Sequence, residues 1–91
     1  MIDIRSPYGL RACLKMGDVS WPGMYPLYYV TADGGVLSPA AVRANQRLVE
    51  EAIDSGADAQ WQVIGCDINY ENPHLYCDDT NKRIPSAYGV D

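Results

Sequence analysis

The residues in this chain with the greatest capacity for chemistry are its one histidine and three cysteines. His74 stands three residues before Cys77, and an H-x-x-C spacing supplies half of a metal site. Cys66 would be a third ligand across a hairpin, with Asp67 or Asp78 as a fourth. A structural zinc site needs about four ligands in tetrahedral reach, typically from two spaced pairs. A second pair is missing, so buried cysteines acting as small hydrophobes are the better reading, with no metal assigned. The same two residues make a poor nucleophile–base pair. On a short strand, side chains three apart point to opposite faces. Ser, His and Asp are all present, but no nucleophile elbow surrounds any serine. Asp33-Gly34-Gly35 lacks the Gly-Lys that a phosphate loop requires. An acidic tight turn accounts for Asp78-Asp79 without a divalent cation. The sequence therefore predicts no catalytic residue and no cofactor, and the chain reads as something other than an enzyme.

The acidic side chains form a stronger pattern. Residues 1–47 carry five basic and three acidic groups, and residues 48–91 carry two and nine, within a net charge of −5. Direct nucleic-acid binding through a basic patch is excluded on this balance. Glu50, Glu51 and Asp54 fall in the last turns of a predicted helix, where the dipole is negative and each acid costs about 0.3–1 kcal/mol. Arg43 and Arg47, one turn earlier, offset part of that through side-chain pairs. With Asp58 just beyond, the helix end becomes an acidic cluster that local stability does not ask for. Binding a basic groove would give it a reason, and a solvated face is the plainer alternative. A second cluster, Asp67, Glu71, Asp78 and Asp79 among Tyr70 and Tyr76, suits an interface with aromatic anchors and a charged rim. The wet edge of a small sheet would look the same. These ten residues are the candidate partner-binding set. They imply a protein or nucleoprotein partner with a basic surface, with homodimerisation as a further option.

The elements that must position these groups are readable in part. Residues 1–23 show only a short Ile2–Ile4 strand, turn signals at Ser6-Pro7 and Tyr8-Gly9, and weak helical spacing at Leu10, Cys13 and Leu14. Irregular structure pinned by Tyr8 and Trp21 is expected there, with a break at Trp21-Pro22-Gly23. Residues 25–31 are rich in β-formers and predict a strand. Asp33-Gly34-Gly35 predicts a tight turn, with Val36-Leu37 starting the return strand. A principal helix over about 39–55 follows, with Ser38 as N-cap, Pro39 at its first position and Gly56 as its stop. Its apolar stripe is Ala41, Val42, Leu48, Val49, Ala52 and Ile53. Residues 60–70 predict a second long strand whose alternation shifts at Gly65, a sign of a bulge. A turn at Asn72-Pro73 and a short hairpin over 74–84 complete the chain. The fold class expected is α+β, a small antiparallel sheet with the principal helix packed on it, in a single domain over 1–91.

The bulk composition agrees with a soluble domain, 47% hydrophobic and 21% charged, with seven Tyr, two Trp and no Phe. No apolar stretch approaches the ~20 residues of a membrane span. Three widely spaced cysteines and no signal pattern point to reduced thiols in a cytoplasm.

The motifs Ser6-Pro7-Tyr8-Gly9-Leu10-Arg11, Tyr28-Tyr29-Val30-Thr31-Ala32-Asp33-Gly34, Asp67-Ile68-Asn69-Tyr70-Glu71, Leu75-Tyr76-Cys77-Asp78, and Lys82-Arg83-Ile84 with Ser86-Ala87-Tyr88 resemble a group of short phage and prophage proteins. Some members look like degenerate zinc ribbons with two Cys-x-x-Cys knuckles. The knuckle positions here are Ser38 with Ala41 and Cys77 with Thr80, of which only Cys77 is a cysteine. The resemblance implies a scaffold kept after its metal was lost. It also implies phage origin, hence action in a host cytoplasm, and raises one class of function: small acidic inhibitors of host defence complexes, such as anti-CRISPR proteins. An accessory or structural phage domain is the alternative it implies.

Overall fold

The computed structural model describes residues 2–17, 19, 20 and 25–88. It has mixed α+β architecture. Ser6, in extended backbone, opens helix α1, Pro7–Leu14; its hydroxyl accepts the Gly9 N–H at 3.2 Å, and proline occupies the first turn. That arrangement caps one of the orphan donors of the first turn. Leu10 and Cys13 are the buried face of α1. The irregular structure expected over 1–23 is thus corrected: Ser-Pro and Tyr-Gly, which read as turns, are here the cap and first turn of a helix. Tyr8 pins nothing, being 79% exposed, and the break expected at Trp21-Pro22-Gly23 lies outside the described residues. Ile4 does the anchoring. It is buried, and its N–H donates to the Ile64 carbonyl at 2.9 Å.

Five strands form one antiparallel sheet: β1 (Ile2–Asp3), β2 (Val19–Ser20), β3 (Tyr25–Thr31), β4 (Val36–Leu37) and β5 (Val63–Ile68). The order is β1-β5-β3-β2, with β4 also paired to β3. β5 occupies one edge of β3, while β2 and β4 share the other. Leu27, Tyr29 and Thr31 of β3 are buried on one face, opposite Ile68, Cys66 and Val63. The register slips between Val30↔Gly65 and Thr31↔Val63, so Ile64 bulges out of the ladder. The strand itself is shorter than the expected 60–70, since Trp61 belongs to a turn.

The expected helix over 39–55 breaks at Asn45 into α2 (Pro39–Ala44) and α3 (Gln46–Ser55). Ser38 caps α2 as expected, accepting the Ala41 N–H, and Gly56 ends α3 in left-handed backbone at φ 67°. Asn45 departs from helical backbone at φ −117°, ψ 25°, and its amide donates to the Ala41 carbonyl at 2.9 Å and to Asp79 at 3.1 Å. Such side-chain bonds compete with the helix ladder. The kink lets Ala41 and Val42 of α2 and Val49, Ala52 and Ile53 of α3 all reach the core. Leu48, expected in the apolar stripe, is half exposed as a result. No helix among the described residues is long and apolar enough to cross a membrane.

The hairpin expected over 74–84 is reduced to one bridge, Tyr76↔Arg83, flanked by the Cys77 N–H to Lys82 O bond at 2.9 Å and the Ile84 N–H to Leu75 O bond at 2.7 Å. Asn69 fastens it to the sheet. Buried to 3% exposure, its amide donates to the carbonyls of Asn72, Ile84 and Pro85, and its Oδ1 accepts the Asn72 N–H. Asn69→Ala would strand those groups in a dry site, a loss of about 1–3 kcal/mol. Urea unfolding should show that loss, and hydrogen exchange should show the Ile84 amide deprotected beyond it. An unchanged midpoint would refute this role.

Candidate functional site

Four segments end at one pole of the molecule: the C-terminus of β3, the start of β4, the C-terminus of α3 and the start of β5. The joints are short. The Ala32 N–H donates to Gln62 O at 2.9 Å, the Gln62 N–H to Asp58 O at 2.8 Å, and the Asp78 N–H to Val36 O at 2.9 Å. Between them lies a pocket of about 180 Å³ lined by Thr31, Asp33, Leu37, Gln60, Trp61, Asp78 and Asp79. Among the described residues three carboxylates and no cation line it.

Each carboxylate is fixed through one oxygen. Asp33 Oδ1 accepts from the buried Thr31 hydroxyl and from the Gly35 N–H at 3.0 Å. Those two bonds, Thr31 first, hold the Asp33 carboxyl below its usual range and keep it ionised. Asp78 Oδ2 accepts the Val36 N–H at 2.9 Å, and Asp79 Oδ2 accepts the Asn45 amide at 3.1 Å. Gly35 makes the approach possible, since a Cβ there would lie 2.5 Å from Asp78 Oδ2. Half-buried Trp61 supplies an aromatic wall. Pre-aimed carboxylates beside an aromatic face are suited to a guanidinium or ammonium group. The volume fits one side chain and falls below the ~300–1,000 Å³ of drug-sized ligand pockets.

The structure divides the sequence-predicted residues among several places. Asp78 and Asp79 line the pocket, Asp58 lies on the turn leading to Trp61, and Asp54 is exposed in the last turn of α3. Glu51 is exposed and pairs with Arg47 at 3.4 Å. Asp67 pairs with Tyr28 midway along β3, and Tyr70, beyond the end of β5, packs on Tyr25 with ring centroids 5.4 Å apart, Glu71 following it in the chain. Tyr25 and Thr31 are six residues apart along β3, roughly 20 Å, and Asp67 lies about half as far from the pocket end. The single cluster expected from Asp67, Glu71, Asp78 and Asp79 is therefore two, because the chain turns back at Asn72-Pro73. Tyr76 is half exposed at the bridge to Arg83.

Glu50 requires the largest correction. It is a structural acid: both its oxygens accept from the Arg11 guanidinium of α1, and the Gln46 amide donates to it at 2.7 Å. Arg43, expected to offset it, instead donates to the Leu14 carbonyl at the end of α1 at 3.1 Å. Sequence reasoning also missed Asp33 and Trp61. A signal for the segment holding Trp61, though not for Asp33, was present: residues 48–81 contain no Lys or Arg.

The cysteines are dispersed. Cys66 adjoins Cys13 and the Tyr29 hydroxyl, which is buried without a partner among the described residues, and burial pushes the Cys66 thiol up to about 12. Burial also opposes ionisation of Cys77, but the backbone N–H groups and hydroxyls of Ser38 and Thr80 outweigh it and hold that thiol below its usual value. His74 is exposed while Cys77 is buried. No group of three potential metal ligands is assembled among the described residues. Comparison with family models, curated proteins and solved structures finds no match to the chain.

Arg11 first, then Gln46, holds the Glu50 carboxyl below its usual value of 4.5. A depressed carboxylate stabilises the fold above its unfolded pKa, and that contribution disappears as pH falls through the folded pKa. Unfolding midpoints from about pH 6 to about pH 3 should thus fall less steeply in Glu50→Gln than in the natural chain. Parallel acid limbs would show that the α1–α3 pair contributes nothing.

Proposed function

We propose that this is a non-catalytic, phage-encoded interaction protein that inhibits a host nucleic-acid-binding defence complex, offering its acidic pole to the basic surface that such a complex uses for nucleic acid. The observation carrying this reading is the pocket at Trp61, where Asp33, Asp78 and Asp79 are fixed without a compensating cation among the described residues. A carboxylate already held by one hydrogen bond loses little further freedom on meeting an arginine. Asp54 and Asp58 extend the negative field across the same pole and favour encounter with a basic partner. Phage origin rests on the sequence resemblance.

Capture of host proteins by the tagged chain tests the reading. A nucleic-acid-binding protein should be recovered at about 50 mM salt, lost at about 500 mM, and displaced by DNA. Asp33→Asn with Asp79→Asn keeps acceptor oxygens but removes charge, and should weaken binding at least about tenfold, as should Trp61→Ala. Glu50→Gln should leave the affinity unchanged. Recovery that ignores the pocket variants, or that yields only phage structural proteins, would overturn the proposal.

One observation favours the second reading, an accessory domain derived from a zinc ribbon. Ser38 and Thr80, two of the four knuckle positions, both reach Cys77, and Ala41 is buried in the same turn as Ser38. The residues present do not fit zinc, since one sulfur cannot complete a tetrahedral site. Restoring the knuckles with Ser38→Cys, Ala41→Cys and Thr80→Cys should produce stoichiometric zinc binding, detectable with cobalt(II) as a coloured thiolate complex. A triple variant that folds and binds no metal would remove this reading.

A further inference from the structure

A second cavity, of about 500 Å³, lies on the β2/β4 side of the sheet, away from Trp61. Its floor is Leu27 and Ile84, both buried, and one wall is a side of α2 that runs from buried Pro39 and Ala41 to exposed Ala40 and Ala44. That wall is built from Pro39, Ala40, Ala41 and Ala44, side chains too short to fill the space between the helix and residues 82–85. Its volume falls within the range of small-molecule sites, which are mostly apolar with a few polar groups fixing orientation.

The charged groups on its rim are Asp79, Lys82 and Arg83. Asp79 is engaged by the Asn45 amide. Arg83 is oriented towards the Pro73 carbonyl at 3.5 Å. The Lys82 ammonium has no acidic partner among the described residues, although the chain carries a net charge of −5. Lys82 and Arg83 are also the only basic residues after position 47, and both stand at this mouth. An apolar chamber with the Lys82 ammonium at its mouth is complementary to an anion with a hydrocarbon body.

We propose that this cavity binds a medium-chain aliphatic carboxylate, its chain lying between α2 and Ile84 and its carboxylate on Lys82. The site shares Asp79 with the acidic pole, and its test does not depend on the pole's partner. Octanoate is the probe, titrated calorimetrically into the full chain, with octanol and octylamine as head-group controls. Octanoate should bind saturably with one site per chain and at least about tenfold more tightly than octylamine. Lys82→Glu should weaken octanoate about tenfold or more while leaving octanol unchanged. Ala44→Trp, at an exposed helix position, should fill the chamber and abolish both, with the far-ultraviolet spectrum unchanged. Tighter binding of octylamine would assign the rim to Asp79 and overturn the proposal. So would the absence of saturable octanoate binding up to about 1 mM. A concentration-dependent dimer whose cleft amides shift on dilution, without octanoate binding, would give the cleft to a second copy and overturn it equally.

Discussion

The pairing of β3 with β5, broken by a single bulged residue, governs the rest of this structure. Among the described residues β3 and β5 are the two strands with neighbours on both edges, so their shared register decides which side chains face the helices and where the other strands lie. Were the ladder continuous, Thr31 would face Ile64. The bulge sets Thr31 opposite Val63 instead and leaves Ile64 outside the ladder, its carbonyl free to accept the Ile4 N–H. The N-terminal segment thereby gains an anchor on the far edge of the sheet. A one-residue slip exchanges the two faces of a strand, so the bulge lets Val63 and Cys66 both be buried.

Much of this was readable because it depends on neighbours in sequence. Ser38, Pro39 and Gly56 mark helix ends by local backbone chemistry. The alternation of 25–31 marks a strand, and Gly65 marks the bulge to within one residue. What escaped depended on distant partners. The kink at Asn45 is stabilised by Asp79, 34 residues on, and nothing local distinguishes that asparagine from a tolerated helix residue. The role of Glu50 was hidden for the same reason, since Arg11 lies 39 residues away. Helix α1 was obscured differently: Ser-Pro followed by Tyr-Gly describes a turn and a helix start equally well, and only burial of Leu10 and Cys13 against the sheet decides between them.

The acids therefore divide by what they meet. Glu50 meets a guanidinium from its own chain, and its charge is consumed in joining α1 to α3. Among the described residues Asp33, Asp78 and Asp79 accept from neutral donors, an amide, a hydroxyl or a backbone N–H, which orient a carboxylate without neutralising it. Sequence charge counts treat all four alike. Only geometry separates an acid that holds the fold together from one whose charge remains outside.

The turn over 78–80 connects the two cavities physically. Asp79 lines both. The turn has no strand ladder of its own beyond the single Tyr76↔Arg83 bridge, so its position rests on individual polar contacts: Asp78 with Val36, Asp79 with Asn45, and the Cys77 sulfur with Ser38 and Thr80. Each links the turn to β4, to the α2–α3 kink or to the cap of α2. These are the elements that frame both sites. Side-chain contacts of this kind yield individually at smaller cost than a ladder, because each carries only about 1 kcal/mol net. A ligand that moves this turn in the apolar cleft would also move two of the three carboxylates at the acidic pole. The fold thus places its most replaceable fastenings between its two open surfaces, with the β3–β5 pair as the fixed frame behind both.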